Sequence, residues 1–365
     1  MLRERAMSSS HPAGGRVLVT GGAGFIGTTL ARQLADSAER WVVLDNLHPQ
    51  VHPGSRPPAD LPDSVDLRVG DVTSADDLDA VVADLRPDTV VHLAAETGTA
   101  QSLAESTRHG MVNVVGTTQL LDSLTRAGHV PGHVVLTSSR AVYGEGVWRN
   151  PDGTTFQPGL RTHAQLEAGK WDHGDGAAHV PNTVAGTHPN PINVYGATKL
   201  AQEQILSAWT GSHDTRLSVL RLQNVYGPRQ SLSNPYTGIV SLFSRLAREG
   251  ESIPLYEDGD ITRDFVYIDD VVSALVAAIA HRPADHVRTV DVGSGVRTTI
   301  GDLAREIARY HSAPEPHVTG QYRDGDVRHA SCTVEATVRT LDWQPRVSLR
   351  DGVAGLQEWI ATQLD

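Results

Sequence analysis

The stretch Arg16-Val17-Leu18-Val19-Thr20-Gly21-Gly22-Ala23-Gly24-Phe25-Ile26-Gly27 decides how this chain is read. Arg16 to Thr20 is a short apolar run suited to a buried strand. It leads directly into Gly21, Gly24 and Gly27, and then into a helix-forming run that Phe25 and Ile26 open and that ends near Ser37. A turn this tight needs residues without side chains, and it brings backbone N–H groups and a helix N-terminus against a pyrophosphate, whose charge the helix end favours. Gly27 lets the helix pack closely on the sheet. The second strand, Trp41 to Leu44, is closed by Asp45, 24 residues after Gly21. A carboxylate there accepts the adenosine ribose hydroxyls and disfavours a 2′-phosphate. A dinucleotide site for NAD rather than NADP is therefore expected, with Asn46 beside it.

Outward from this loop, strand-like and helix-like runs alternate. Val65 to Val69 reads as a strand, Asp76 to Leu85 as a helix, Thr89 to Leu93 as a strand, Val112 to Ala127 as a long helix and His133 to Thr137 as a strand. Continuous apolar strands separated by helices predict a parallel sheet covered on both faces. The fold class is α/β, a Rossmann-type doubly wound sheet with a smaller C-terminal substrate-binding lobe. Asp71, after the third strand, suits the adenine edge or else caps the helix that follows Val72. Leu93-Ala94-Ala95 is small enough for close cofactor approach, or for plain packing beside a loop.

Between Glu145 and Pro191 the rhythm breaks into Gly, Pro, His, Asp and Asn, with Thr162 to Lys170 the one helical fragment, and a connection this long is usually functional. Helix resumes over Val194 to Trp209 and strand over Leu217 to Leu222; Ile239 to Arg248 reads as a helix, then Phe265 to Ile279 and Val287 to Val292 as a helix and strand of the large sheet. The expected division is 14–222 for the dinucleotide domain, with an insert at about 145–191, and 223–365 for the lobe, with 265–292 returning to the large domain.

Composition excludes several classes. Basic residues number 31 against 43 acidic ones, for a net charge of −12, which is not the balance of a nucleic-acid binder. Cys332 is the only cysteine, so no internal disulfide forms and a thiolate-rich metal site is not expected. No apolar run approaches the ~20 residues that cross a bilayer. The stretch before Val17 lacks a signal-peptide core and is expected to be loose, with Met7 an alternative start. Cytoplasmic location is the default.

Tyr195 and Lys199 are spaced i,i+4 and share a helix face. A free tyrosine, with a pKa near ~10, is a poor base at neutral pH. A neighbouring ammonium favours the phenolate, and Lys199 also suits the nicotinamide ribose. Ser139, just beyond the His133 to Thr137 strand, lies where an open sheet places ligand-binding groups, and it suits the reacting substrate oxygen. Ser138 and Tyr143 are nearby hydroxyls without a lysine partner.

With these residues in place, the chain resembles the nucleotide-sugar epimerase and dehydratase branch of the extended short-chain dehydrogenases. The resemblance rests on GGAGFIG at 21–27, LDN at 44–46, HLAA at 92–95, NVVGT at 113–117, SSRAVYG at 138–144, YGATK at 195–199, NVYGPRQ at 224–230 and TRDFVYIDD at 262–270. It implies Ser139, Tyr195 and Lys199 as catalytic, a UDP- or dTDP-linked hexose as substrate, and a homodimer paired through 112–127 and 194–209. It also implies Asn224, Arg263 and Arg323 as contacts on the diphosphate side. A turn-stabilising Asn and solvated arginines are the plainer roles for those three.

The shared first move is oxidation of a sugar hydroxyl to a keto sugar. Dehydratases of this branch carry Asp-Glu after the catalytic hydroxyl, and the related decarboxylases a Glu at the second position. Here the pair is Arg140-Ala141, and alanine transfers no proton. Epimerisation needs no further acid or base, so C4 inversion with retained NAD is the expected reaction. C2 inversion and 4-ketoreduction are the alternatives. The loop Glu96 to Ser102, with Thr97, and Arg140 are expected to face the sugar, Arg140 equally suiting an external salt bridge.

Tyr195 follows Tyr143 by 52 positions, about twice the span expected in such enzymes. The insert between them is assigned to a substrate lid or partner surface. Its His163, His173, His179 and His188 lack metal-ligand spacing and are read as surface histidines, with no metal.

Overall fold

The computed structural model describes residues 14–231 and 238–363; of the N-terminal stretch expected to be loose, residues 1–13 lie outside the described residues. Seven parallel strands form the main sheet: β1 (Arg16–Thr20), β2 (Arg40–Asp45), β3 (Val65–Val69), β4 (Thr89–His92), β5 (His133–Ser139), β6 (Arg216–Leu222) and β7 (Val287–Val292). Their spatial order is β7-β6-β5-β4-β1-β2-β3. The order reverses at β1, whose neighbours are β2 and β4, and that switch point is where open α/β sheets bind ligands.

Alternation along each strand builds two cores. Val17, Val19, Trp41 and Val43 point to one face, where α1 (Phe25–Leu34) and the later helix Ile268–Ala280 pack. Leu18, Val42, Leu44 and Val90 point to the other, against α2 (Ala75–Leu85), α3 (Gly116–Arg126) and α4 (Val194–Gly211). A period of two on the strands serves both faces at once. A third core holds the C-terminal lobe together, where Val240, Phe243, Leu303, Ile307, Leu356 and Ile360 join the helices Ile239–Arg248, Ile300–His311 and Leu349–Thr362.

Two expectations shift. The helical stretch expected at 112–127 begins earlier, with short helices Thr99–Ala104 and Ser106–His109 and a π-helical turn Gly110–Val115 before α3. Asn113 in that turn donates to the Glu96 carbonyl (3.0 Å) and to the Thr198 hydroxyl (2.9 Å), tying the sugar-side loop to α4. Phe265–Tyr267 is not helical. These aromatic and β-branched residues pair in parallel with Asn224–Tyr226 outside the large sheet, and the helix begins at Ile268.

The insert is an ordered clamp. Val147–Arg149 pairs antiparallel with both Thr155–Phe156 and Ala178–Val180. Its buried Trp148 sits against His173, His179 and His329, with ring centroids 5.0–6.1 Å apart. Buried Arg161 donates to Glu257 and to the Asp326 carbonyl (both 2.9 Å), and Arg328 reaches across to Asp172 (2.9 Å). No residue of 145–191 lines the main cavity, so the lid reading is not supported: these ion pairs bind the insert to the lobe instead. His173 and His179 are likewise not surface residues. Burial drives His179 down to about 3 and keeps it neutral, whereas His163 and His188 are exposed. Among the described residues no cluster of three or more metal-ligating side chains forms, and no helix is long and apolar enough to cross a membrane.

Candidate active site

A cavity of about 490 Å³ opens along the C-terminal ends of β1, β2, β4, β5 and β6. At its floor, the Gly21 N–H donates to the Leu44 carbonyl (2.8 Å) and φ is +69°, a left-handed conformation that suits glycine. A Cβ there would lie 2.6 Å from the Ala94 backbone. Gly24 precedes α1 with no side-chain cap, and a Cβ on it would meet only the Gly21 carbonyl, at 3.3 Å. Its open side faces the cavity, which leaves room for phosphate oxygens at the N-terminus of α1. Asp45 accepts from the Ala23 N–H (3.0 Å) and the Leu47 N–H (2.9 Å), which fixes its carboxylate at the rim of the glycine loop.

The other expected cofactor residues line the same space: Phe25, Ile26, Gly27, Asn46, Asp71, Val72, Leu93, Ala94 and Ala95. Asn46 donates to Asp71 (2.9 Å), and Asp71 also accepts from Thr73; the cap of α2 is Ser74, so Asp71 is not that helix's cap. This cradle fits a dinucleotide. It has a side-chain-free phosphate approach, a carboxylate at the ribose position and small residues on β4.

Across the cavity, Asn193 caps α4 by accepting from the Gly196 N–H (2.8 Å). A Cβ on Gly196 would lie 2.5 Å from the Ala141 carbonyl, so the first turn of α4 rests directly on the turn that follows β5. That close approach brings Tyr195 to Ser139. The Ser139 oxygen accepts from the Ala141 N–H (3.1 Å), which leaves its own hydrogen for the Tyr195 oxygen. Burial raises the Tyr195 phenol, while Ser139 and Arg140 counter it. Lys199, one turn on, donates to the Gln202 side chain; Gln202 donates to Thr117 (2.8 Å), beside the buried His92. Burial lowers the Lys199 ammonium to about 7, with Glu203 pulling it back up, and lowers His92 to about 3.

The model of the NAD dependent epimerase/dehydratase family matches residues 17–293. The chain belongs to this family. Its class is nucleotide-sugar epimerase, with NAD as cofactor. It is 55% identical over 359 residues to a dTDP-L-rhamnose 4-epimerase of Burkholderia thailandensis, covering 98% of each chain. It is 32% identical to a UDP-glucose 4-epimerase of Mycolicibacterium smegmatis, covering 94% of this chain and 98% of that one. A solved UDP-glucose 4-epimerase with UDP-glucose from Thermotoga maritima superposes with a TM-score of 0.79 at 27% identity, covering 96% of this chain and 99% of that one.

Within this epimerase the substrate-side residues divide. Thr97, Ser139, Arg140 and Asn224 line the cavity, and Arg140 donates through Nε to Asn224 (2.8 Å). Arg263 and Arg323 do not line it. The buried Arg263 guanidinium donates to the carbonyls of Thr262 and Val327 (both 2.8 Å), and the exposed Arg323 stacks over the Tyr256 ring at 5.0 Å. Both arginines are thus engaged by the protein.

Further residues line the cavity, among them Glu96 of the loop expected to face the sugar. Glu96 accepts from Arg108 (2.8 Å) at the cavity wall, and His52 lies 3.8 Å from Asp45. Gln223 and Gln230 line the cavity with buried amide atoms that have no partner among the described residues. Gln230 closes the NVYGPRQ stretch at 224–230, whereas the one sequence signal of Gln223 is its position just after the C-terminal end of β6, where open sheets present ligand groups.

Proposed function

We propose that this chain inverts C4 of a dTDP-linked 6-deoxyhexose, interconverting dTDP-L-rhamnose and dTDP-6-deoxy-L-talose. What carries the reading is the 55% identity, end to end, with the Burkholderia 4-epimerase. The local chemistry supports it. Tyr195 takes the proton from the sugar O4, Ser139 holds that oxygen, and Lys199 favours the phenolate. Bound NAD supplies the hydride acceptor and donor. The Tyr195 phenol then returns its proton to O4 once the keto sugar has presented its other face. Arg140-Ala141 after Ser139 offers no acid–base pair for C5 and C6, so the keto sugar is not dehydrated.

A homodimer belongs to the same proposal, paired through 112–127 and 194–209, with Leu103 and Met111 exposed just before the first of these stretches. So does a cytoplasmic location, in keeping with a single free thiol. The test is to incubate purified protein with dTDP-L-rhamnose, without added nicotinamide cofactor, and to follow C4 by proton NMR. Catalytic appearance of the talo epimer is expected. An inert substrate overturns the assignment, and so does a reaction that consumes a reduced nicotinamide in proportion to product, which marks a ketoreductase.

A further inference from the structure

We propose that Gln202 is the positioning residue of Lys199, a neutral amide that fixes the lysine ammonium one turn beyond Tyr195 without cancelling its charge. The inference rests on the epimerase reading of the same site and deepens it. Tyr195, Lys199 and Gln202 stand at i, i+4 and i+7 on α4, so they share one face. Helical side chains lean toward the N-terminus, and Gln202 reaches back over the turn that carries Lys199. The Lys199 ammonium donates to Gln202 Oε1. At the other end of the amide, Gln202 Nε2 donates to Thr117 Oγ1 (2.8 Å), and Thr117 donates its own hydrogen to the Asn113 carbonyl (2.6 Å). An ammonium has only donors, and the engaged hydroxyl can only accept, so both contacts demand the same amide orientation. His92 extends the anchor. Its Nε2 lies 2.9 Å from Thr117 Oγ1, and its Nδ1 lies 2.6 Å from the hydroxyl of Thr20, the last residue of β1 before Gly21. Thr20, His92, Thr117, Gln202 and Lys199 are all buried.

The neutrality of this partner is what makes it useful. Glu203, i+4 from Lys199, is the carboxylate that helical spacing offers as an ion-pair partner. That carboxylate is already engaged: Arg221 donates to both its oxygens (3.0 and 2.7 Å), and Ser138 donates to it as well. Among the described residues Lys199 forms no ion pair, and Gln202 is its one side-chain hydrogen-bond partner. A carboxylate against the ammonium would compete with the Tyr195 phenolate for its charge. An amide oxygen instead holds it by a charge-assisted hydrogen bond and leaves the charge in place. An ammonium has three donors, so one held by Gln202 leaves two for the cavity that Lys199 and Tyr195 line. The charged and titratable groups around it are Tyr195 and Glu203 on its own helix, His92 on β4, and Arg221 on β6 behind Glu203. The proton passes from the sugar O4 to the Tyr195 oxygen and back, and none is assigned to Gln202.

Lys170 and Lys199 are the only lysines in the chain, so lysine carrying a carbon-13 label at Cε gives one NMR signal for each, and K170R identifies that of Lys199. The titration is run on protein saturated with NAD. Q202L removes the acceptor, and the Lys199 midpoint is expected to move down by about one pH unit, as for loss of a hydrogen bond to the charged form. Q202E, which supplies a carboxylate, moves it up, and the Lys170 midpoint stays in place in both variants. In Q202L the alkaline limb of the kcat–pH profile follows Lys199 downward, kcat falls by about tenfold and KM stays within about threefold. Should Q202L fail to fold, Q202M, closer to glutamine in length, carries the same comparison. A Gln202 that only knits the core lowers the melting temperature and leaves the Lys199 midpoint unmoved. That result overturns the proposal, and so does a shifted midpoint with unchanged kcat. Failure of C4 inversion by the wild type while the Lys199 midpoint still shifts instead overturns the substrate assignment alone.

Discussion

Gly24 separates folding from function at a single residue. Its backbone is ordinary and extended (φ −70°, ψ 178°), so any residue can adopt it, and no side-chain cap is lost on substitution. A branched side chain there projects into the phosphate space rather than into the core. G24V is therefore expected to keep its melting temperature within a few degrees and to lose NAD affinity by about 100-fold, the effect of roughly 3 kcal/mol of steric overlap. Calorimetric NAD titration checks it, and undiminished affinity would show that the phosphates lie elsewhere. Gly21 is different in kind. Its left-handed φ and its 2.6 Å approach to Ala94 make any side chain there a folding defect.

Among the elements, the insert's attachment to the lobe is the one most exposed to a single substitution. Trp148 is fully buried, donates to the Glu145 carbonyl (3.0 Å) and is walled by three histidine rings. W148A removes that core and loosens the buried Arg161–Glu257 and Arg328–Glu257 pairs around it. A loss of about 3–5 kcal/mol is expected, the usual range for truncating a buried tryptophan. It should register as amide exchange and proteolysis confined to about 147–180 and 326–332, with the Rossmann sheet still protected. Uniform loosening of the whole chain would instead mean that insert and sheet unfold as one unit.

For the whole molecule, buried histidines set the acid limit of stability. Burial lowers His92, His133 and His179 to about 3 each. Between their ordinary pKa and that value the unfolded chain binds protons that the folded chain refuses, so falling pH favours unfolding. Asp291 works the other way. Burial raises it to about 7, so the folded chain gains a proton there as pH falls. His52 and His329 add to the first side, and Asp264 and Asp270 to the second. Between pH 6.5 and 5.5 the balance averages on the order of one proton, or about 2 kcal/mol lost over that unit. Urea unfolding at pH 6.5 and 5.5 measures it, and equal midpoints would contradict this reading of the buried rings.

Local pattern carried most of the large domain. The apolar run Arg16–Thr20, the glycine spacing after it and the alternation of strand and helix depend on neighbours in sequence, so they were legible without coordinates. The i,i+4 spacing of Tyr195 and Lys199 was legible for the same reason. Contacts between distant segments were not. The diphosphate expectation for Arg263 and Arg323 gave way to carbonyls more than 60 residues away and to an aromatic face, and the insert expected over the substrate is clamped to the lobe. The family motifs also left open which way Lys199 and Arg140 turn. A side chain's direction depends on every group that crowds it, and here those groups come from β5, α4, the insert and the lobe together. Sequence by itself determined the fold and the order of the site along the sheet, because both follow from local periodicity and steric need. Only the tertiary structure decided which charges meet, because burial and partner choice belong to the packed chain.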